Sequence, residues 1–380
     1  MKKNHLLLFF LCVVFLAGTN NAAAEDAKAL FARGYDAYFK NDHDEAIRSL
    51  EQAAKLDPTN YEYFYYLGKS YSKRKEYSSA EKSFLEAVKL NPGHIDSLSQ
   101  LAEIYYSRRD YTLSYKYYRS ILDLDAKNFD ASFSLGRVYF DTNRIDEAVE
   151  QFASAWELNK NDPHLLYYLG RSYMNKENWF QAIGKLTDAI KLNPLNPLYY
   201  FWRGNAYFAS RDYRNPESSE WKSPDDYRKA LELGMSSKDI YFMFGNAFLN
   251  RAFFMIDSNR YNEAYDLLQS AIVNFKRVIE LDPTASNAYN NMGLSLYYMN
   301  KFDEAISAFK KAIEIEPTVE FFHDNLGDAF YKIGQFANAS GEWELVLELN
   351  PNYLGSSTLP LIGKVKNIGE KIKEARKRTN

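Results

Sequence analysis

The chain is almost without cysteine: Cys12 is its one thiol, and it lies inside an N-terminal apolar run. Loss of that run would leave no disulfide, no cysteine nucleophile and no zinc-thiolate site. Histidine is also scarce, five residues in 380, and the four beyond residue 24 (His43, His94, His164 and His323) are far apart with no paired ligand spacing. Each reads as a turn or surface residue. The sequence has no G-x-S-x-G elbow, no Walker phosphate loop, no G-x-G-x-x-G and no H-E-x-x-H. No catalytic residue, metal ligand or cofactor is therefore expected, and the chain reads as a non-enzyme. A net charge of −3 gives no basic excess to attract nucleic acid or anionic lipid.

Nor does any apolar run reach membrane-spanning length. The basic start "MKK" precedes "LLLFFLCVVFLA", twelve apolar residues, where a spanning helix needs roughly 17–25. Small residues follow in "GTNNAAA", with Ala22 and Ala24 before Glu25. This order predicts a signal peptide over 1–24, cleaved after Ala24, and an exported chain, periplasmic or secreted, with no stable span once mature. Retention as an anchor is the competing reading. Cys12 lies within the run rather than at its end, which argues against a lipidated cysteine.

What the sequence has in abundance is aromatic residues, 16% with 31 tyrosines, and a Leu-Gly motif that returns. Arg33-Gly34, Leu67-Gly68, Leu101-Ala102, Leu135-Gly136, Leu169-Gly170, Arg203-Gly204, Phe244-Gly245, Met292-Gly293 and Leu326-Gly327 are spaced by 34 residues, except for intervals of 41 and 48 before Gly245 and Gly293. A fixed period of this size specifies a solenoid of small units. Each unit reads as two amphipathic helices. In 61–71, "YEYFYYLGKSY", Phe64, Leu67 and Tyr71 share one face by their spacing and are the expected core, with Tyr61, Tyr63 and Tyr66 against the preceding unit. The mid-helix Gly costs about 1 kcal/mol relative to Ala, so a neighbouring helix must need the space. Ala46, Ala80, Ala148, Ala182, Ala305 and Ala339, twelve residues further on, are the expected facing residues. Second helices end in sequences such as "KLDP" and "KLNP", because proline cannot continue a helix.

With Phe64, Leu67, Gly68, Tyr71, Ala80, Phe84, Ala87 and Pro92 in place, the sequence resembles the tetratricopeptide repeat family over about nine units from Ala27 to Tyr353. The resemblance implies an all-α, right-handed αα-solenoid of helix hairpins. The units lie near 27–60, 61–94, 95–128, 129–162, 163–196, 197–237, 238–285, 286–319 and 320–353, within a solenoid of 25–353. Residues 354–380 form a C-terminal capping helix and basic tail, with Leu361, Val365, Ile368, Ile372 and Ala375 as its apolar stripe. Three departures carry expectations. Ala102, Ser114 and Ala126 replace the consensus residues of the third unit, predicting looser packing. Pro216 and Pro224 make the seven added residues after Gly204 a loop, with Ser223 capping the helix that follows. The fourteen residues added after Gly245 lengthen both helices by seven, predicting a projecting hairpin with an exposed tip at Phe253, Phe254, Met255 and Ile256.

The resemblance further implies that residues three before and one after each Gly line a concave groove. These are Phe31 and Tyr35, Tyr65 and Lys69, Ser99 and Glu103, Phe133 and Arg137, Tyr167 and Arg171, Phe201 and Asn205, Phe242 and Asn246, Asn290 and Leu294, then Asp324 and Asp328. Tyr38, Tyr106, Phe140, Met174, Phe208, Tyr297 and Tyr331 extend the stripe. The expected partner-binding set is Tyr65, Lys69, Phe133, Arg137, Tyr167, Arg171, Phe201, Asn205, Phe242 and Asn246. Plain packing of helix on helix would produce the same aromatic pattern. A family variant clamps a terminal carboxylate with Lys, Asn and Arg. Here Asn246 and Asn291 match two of those roles, but Phe242, Phe321 and Asn325 replace the cations. Lys69, Arg137 and Arg171 beside rings suggest instead an extended protein segment with acids among apolar or aromatic groups. The chain so read is an envelope scaffold or adaptor. The alternative is a glycan-binding envelope protein using the same aromatic groove.

Overall fold

Each Leu-Gly motif lies in the first helix of a pair, and in every pair but that of Gly204 a short turn folds the second helix back on it. The structure is a computed structural model that describes residues 25–210, 223–353 and 367–379. The expected signal segment, most of the proline-bearing loop, Leu361 and Val365 lie outside them. Two units divide the chain, one ending at Asn161 and the other beginning at Asp162. The first contains α1 (25–39), α2 (His43–Leu56), α3 (Tyr61–Lys73), α4 (Tyr77–Leu90), α5 (Ile95–Ser107), α6 (Tyr111–Leu124), α7 (Phe129–Asp141) and α8 (Ile145–Leu158). The second contains α9 (Pro163–Asn175), α10 (Trp179–Leu192), α11 (Pro197–Ala209), α12 (Ser223–Glu232), α13 (Lys238–Asp257), α14 (Tyr261–Leu281), α15 (Ser286–Tyr298), α16 (Phe302–Ile315), α17 (Glu320–Lys332), α18 (Phe336–Leu349) and α19 (Ile368–Thr379). No strand occurs among the described residues.

Local chemistry sets where each helix starts and stops. Asn60 Oδ1 accepts the Glu62 N–H at 2.9 Å, and Asp110 Oδ1 accepts that of Leu113 at 3.1 Å, so side chains satisfy amides the helix leaves open. First helices end in a left-handed residue: at Lys75, φ is 62°, the Lys75 N–H donates to Ser72 O at 3.0 Å and the Glu76 N–H to Tyr71 O at 2.9 Å. Asn41, Arg109, Asn143, Glu177, Asn259, Asn300 and Gly334 repeat this conformation.

The mid-helix glycines make room first for a large side chain of the second helix, a ring or a leucine, ahead of the alanine twelve residues on. A Cβ on Gly68 would lie 2.7 Å from Phe84, and one on Gly293 2.6 Å from Phe309. Leu50, Phe152, Leu186 and Trp343 meet Gly34, Gly136, Gly170 and Gly327 in the same way. The expected alanines are buried beside them, and the Ala46 and Ala182 carbonyls are among the atoms nearest to a Cβ on Gly34 and Gly170, at 3.2 and 3.3 Å. In the irregular hairpins Tyr227 meets Gly204 and Phe275 meets Gly245, at longer sequence separations, so the added residues preserve the Gly–ring contact.

Several expectations change with burial. Tyr63 is the fully buried ring of its stretch, against Phe31, Ala27 and Ala53, whereas Phe64 is half-buried. Tyr61 packs forward on His94, the rings tilted at 4.8 Å, instead of backward. In the third hairpin Ala102, Ser114 and Tyr118 are all buried, so it is not loosened: the Tyr118 ring fills the usual place and its hydroxyl donates to Glu103. Ser114 Oγ is left without a hydrogen-bond partner. Helices α13 and α14 have 20 and 21 residues, against 13 and 14 for α15 and α16. Their tip is not an exposed patch, because Phe253 and Met255 are buried and the Phe253 ring lies 5.0 Å from Tyr298 of α15. The two added turns cover the end of the next hairpin.

Polar groups also enter the core. Arg203 occupies a position usually held by Leu and donates to Asp226 of α12 through Nε at 2.8 Å and Nη2 at 2.6 Å, with both side chains largely buried. His323 is buried, not a surface residue: its ring nitrogens bond to Glu342 Oε2 at 2.7 Å and Pro317 O at 2.9 Å. Burial of the ring opposes its charged form, but the Glu342 carboxylate and the Pro317 carbonyl outweigh it, and the pKa is raised. Helix α19 buries Ile368, Ile372 and Ala375 in the core shared with Trp343 and Val346.

Candidate functional site

In the first unit, helices α1, α3, α5 and α7 carry the stripe positions. Phe31, Tyr65, Ser99 and Phe133 are half-buried, as are Lys69, Glu103 and Arg137, and Tyr35 is 39% exposed. The Lys69 ammonium lies 5.1, 5.2 and 5.6 Å from the ring centres of Tyr38, Tyr65 and Tyr66. Tyr35 meets Tyr66 edge-on at 4.8 Å and Phe39 at 4.7 Å. Burial, followed by a hydrogen bond with Tyr35, pushes the Tyr66 hydroxyl up to about 12, so it stays protonated near neutrality. The Tyr65 hydroxyl donates towards Asp96 at 3.5 Å.

Arg137 is placed differently. Its guanidinium lies 4.3 Å from the Tyr106 ring centre, with Nη1 3.8 Å from the Glu103 carboxylate. Phe133 packs on Phe129 at 6.1 Å and Phe152 at 5.9 Å.

In the second unit Tyr167, Phe201, Asn290, Leu294 and Asp324 are buried, while Arg171, Asn205, Phe242, Asn246 and Asp328 are half-buried and held by contacts within the chain. Tyr167 and Phe201 are 9% and 7% exposed. Arg171 lies over Trp202 at 3.9 Å and donates to the Tyr167 hydroxyl at 3.1 Å. Asn205 accepts the Tyr227 hydroxyl at 2.8 Å, and Phe242 packs on Phe275 at 6.1 Å. Asn246 accepts from Asn291 at 2.8 Å, Asn291 from Asn290 at 3.0 Å and Asn290 from Asn325 at 2.8 Å, a ladder across α13, α15 and α17. Lys371 of α19 reaches both Asp324 and Asp328 at 2.7 Å. Burial, more than the Asp324 charge, raises the Asp328 carboxyl to about 6 against the opposing pull of Lys371.

The residues three before and one after the glycine therefore share a surface in each unit, but they do not act alone. Position two before the glycine, which supplies Tyr66, Trp202, Asn291 and Asn325, belongs to the same network. Its signal was a run of polar-tipped aromatic and amide residues within a periodic helix. Among the described residues no group of three His, Cys, Asp or Glu could hold a metal ion, and no helix is long and apolar enough to cross a membrane.

No protein of curated function matches the sequence. Among solved structures, the C-terminal part of a TPR repeat-containing protein from Cytophaga hutchinsonii is 17% identical with a TM-score of 0.51, over 69% of this chain and 99% of that one. A tetratricopeptide repeat protein from Parabacteroides merdae is 16% identical with a TM-score of 0.49, over 72% and 99%. YrrB, a TPR protein described as having an unusual peptide-binding site, is 20% identical with a TM-score of 0.43, over 54% and 95%. Family profiles described as tetratricopeptide repeat match residues 31–95, 105–169, 167–214 and 286–319. With more than half of its length matched and helix pairs throughout, the chain belongs to the tetratricopeptide repeat family, whose stacked hairpins serve as protein-interaction scaffolds.

Proposed function

We propose that this protein is an exported, non-enzymatic scaffold that holds an extended segment of a partner protein on the first-helix stripe of its first unit. The observation that supports this most is the contrast in exposure of the rings: Tyr35 and Phe39 are exposed on α1 and Tyr65 is half-buried on α3, while Tyr167 of α9 and Phe201 of α11 are buried. Half-exposed aromatic side chains give large contact area at little conformational cost, which suits an anchoring surface. Export is supported by the basic start, the short apolar run and the small residues before Glu25.

A photo-crosslinking residue at Tyr35, compared with one at Phe180 (83% exposed, on α10), tests the reading. In native extracts the first should yield one discrete protein adduct and the second none. Equal or absent adducts at both positions would contradict it, as would binding of soluble oligosaccharide in place of protein. Terminal sequencing of native material should begin at Glu25; an intact Met1 would contradict export.

A further inference from the structure

We propose that Lys69, framed by Tyr38, Tyr65 and Tyr66 with Tyr35 and Phe39 beside Tyr66, anchors the side-chain carboxylate of an acidic residue that stands next to an aromatic or aliphatic residue in the partner segment. This rests on the scaffold reading and specifies the chemistry of what is held.

The charge balance along the stripe points to this position. Arg137 has Glu103, and Arg171 lies over Trp202 and donates to the Tyr167 hydroxyl. Of the nearby basic groups, Arg33 pairs with Glu45, Lys40 with Asp36, and Arg74 with Asp44 and Glu76, whereas Lys73, one turn along α3, forms no ion pair among the described residues but is exposed. Lys69 forms no ion pair among the described residues, yet among those of the first unit it is the one lysine that is not exposed. Rings replace part of its water without neutralising it. An arriving carboxylate therefore meets a partly dehydrated cation, where attraction is less screened than in bulk solvent.

The surroundings define the rest of the ligand. Tyr35 is 39% and Phe39 59% exposed, next to each other and to Tyr66, so an apolar or aromatic neighbour of the acid has a surface to cover. A single ammonium, with no guanidinium fork, suits one carboxylate rather than a dianionic phosphate. Of the hydroxyls around it, that of Tyr65 is directed to Asp96, and those of Tyr35 and Tyr66 are hydrogen-bonded to each other.

The test uses the full chain with labelled lysine ε-carbons and the blocked peptide acetyl-Ser-Asp-Phe-Ser-amide, titrated by NMR. Saturable binding should shift the Lys69 signal. Affinity should fall about tenfold or more for the Asn-for-Asp peptide, for Lys69→Gln, and on raising salt from about 0.05 to 0.5 M. Lys69→Arg should retain most of the binding, which separates lost charge from lost fold. No saturable shift up to about 10 mM peptide, equal binding of the Asn peptide, or unchanged binding by Lys69→Gln would each overturn the proposal. Stronger binding of an Asn peptide with a free C-terminus than of the blocked Asp peptide would also overturn it, by assigning Lys69 to a chain end. None of these results would remove a protein adduct at Tyr35, so the anchor can fail while the scaffold reading stands.

Discussion

The two units place the same helix positions on an equivalent surface and use them in opposite ways. In the first, the stripe ends in an exposed pair of rings and a lysine without a carboxylate. In the second, Trp202, Tyr227, the asparagine ladder and Lys371 close it. Repeat geometry therefore decides where a side chain stands, and the complementary residue on the neighbouring helix decides whether it is available.

The largest expected effect lies where the second unit closes on a buried charge. Asp226→Ala should destabilise that unit by about 3–5 kcal/mol, because it leaves Arg203 buried without its partner. Asp44→Ala, which removes the exposed partner of Arg74, should cost under about 1 kcal/mol. Urea unfolding of both variants checks the contrast. Similar costs would show that the units do not differ in how they handle charge.

The next effect should be common to both units. Gly68→Ala presses on Phe84 and Gly327→Ala on Trp343, so each should cost about 1–3 kcal/mol by overpacking. Gly184 has nothing within 4 Å of an added Cβ, and there Ala should stabilise by up to about 1 kcal/mol through helix propensity. Thermal melts of the three variants measure this. A neutral Gly68→Ala would mean that the ring has room to move.

Ser114→Ala, removing a buried hydroxyl without a partner, should stabilise the first unit by about 1 kcal/mol. Smaller still, Lys75→Asn and Glu177→Asn relieve left-handed backbone in one unit each, and both should gain a few tenths of a kcal/mol, up to about 1. Denaturant midpoints should rise in each case. A gain in one unit only would show that the turns are not equivalent.

Much of this fold is legible in the sequence because its signals are local. The 34-residue period, the prolines that end second helices and the paired lengthening of α13 and α14 follow from spacing along one chain segment. What was misread depends on neighbours. Phe84, not Ala80, meets Gly68; Tyr63, not Phe64, is the fully buried ring; and Phe253 is covered by Tyr298. A periodic pattern assigns a residue to a helix face but not to what lies across from it. The candidate site shows the same limit: Lys69, Arg137 and Arg171 look alike in sequence, and only their surroundings separate them.

The most direct test of this difference is thiol reactivity, since Cys12 is the one native cysteine. With Cys12 replaced by Ser, single variants Tyr35→Cys and Ser99→Cys represent the first stripe, Phe201→Cys and Leu294→Cys the second, and Phe180→Cys an exposed control. Tyr35→Cys should label nearly as fast as the control and Ser99→Cys within severalfold of it, whereas Phe201→Cys and Leu294→Cys should be at least about tenfold slower, as access requires local opening. Equal rates at all four stripe positions would contradict the claim that one unit is open and the other closed.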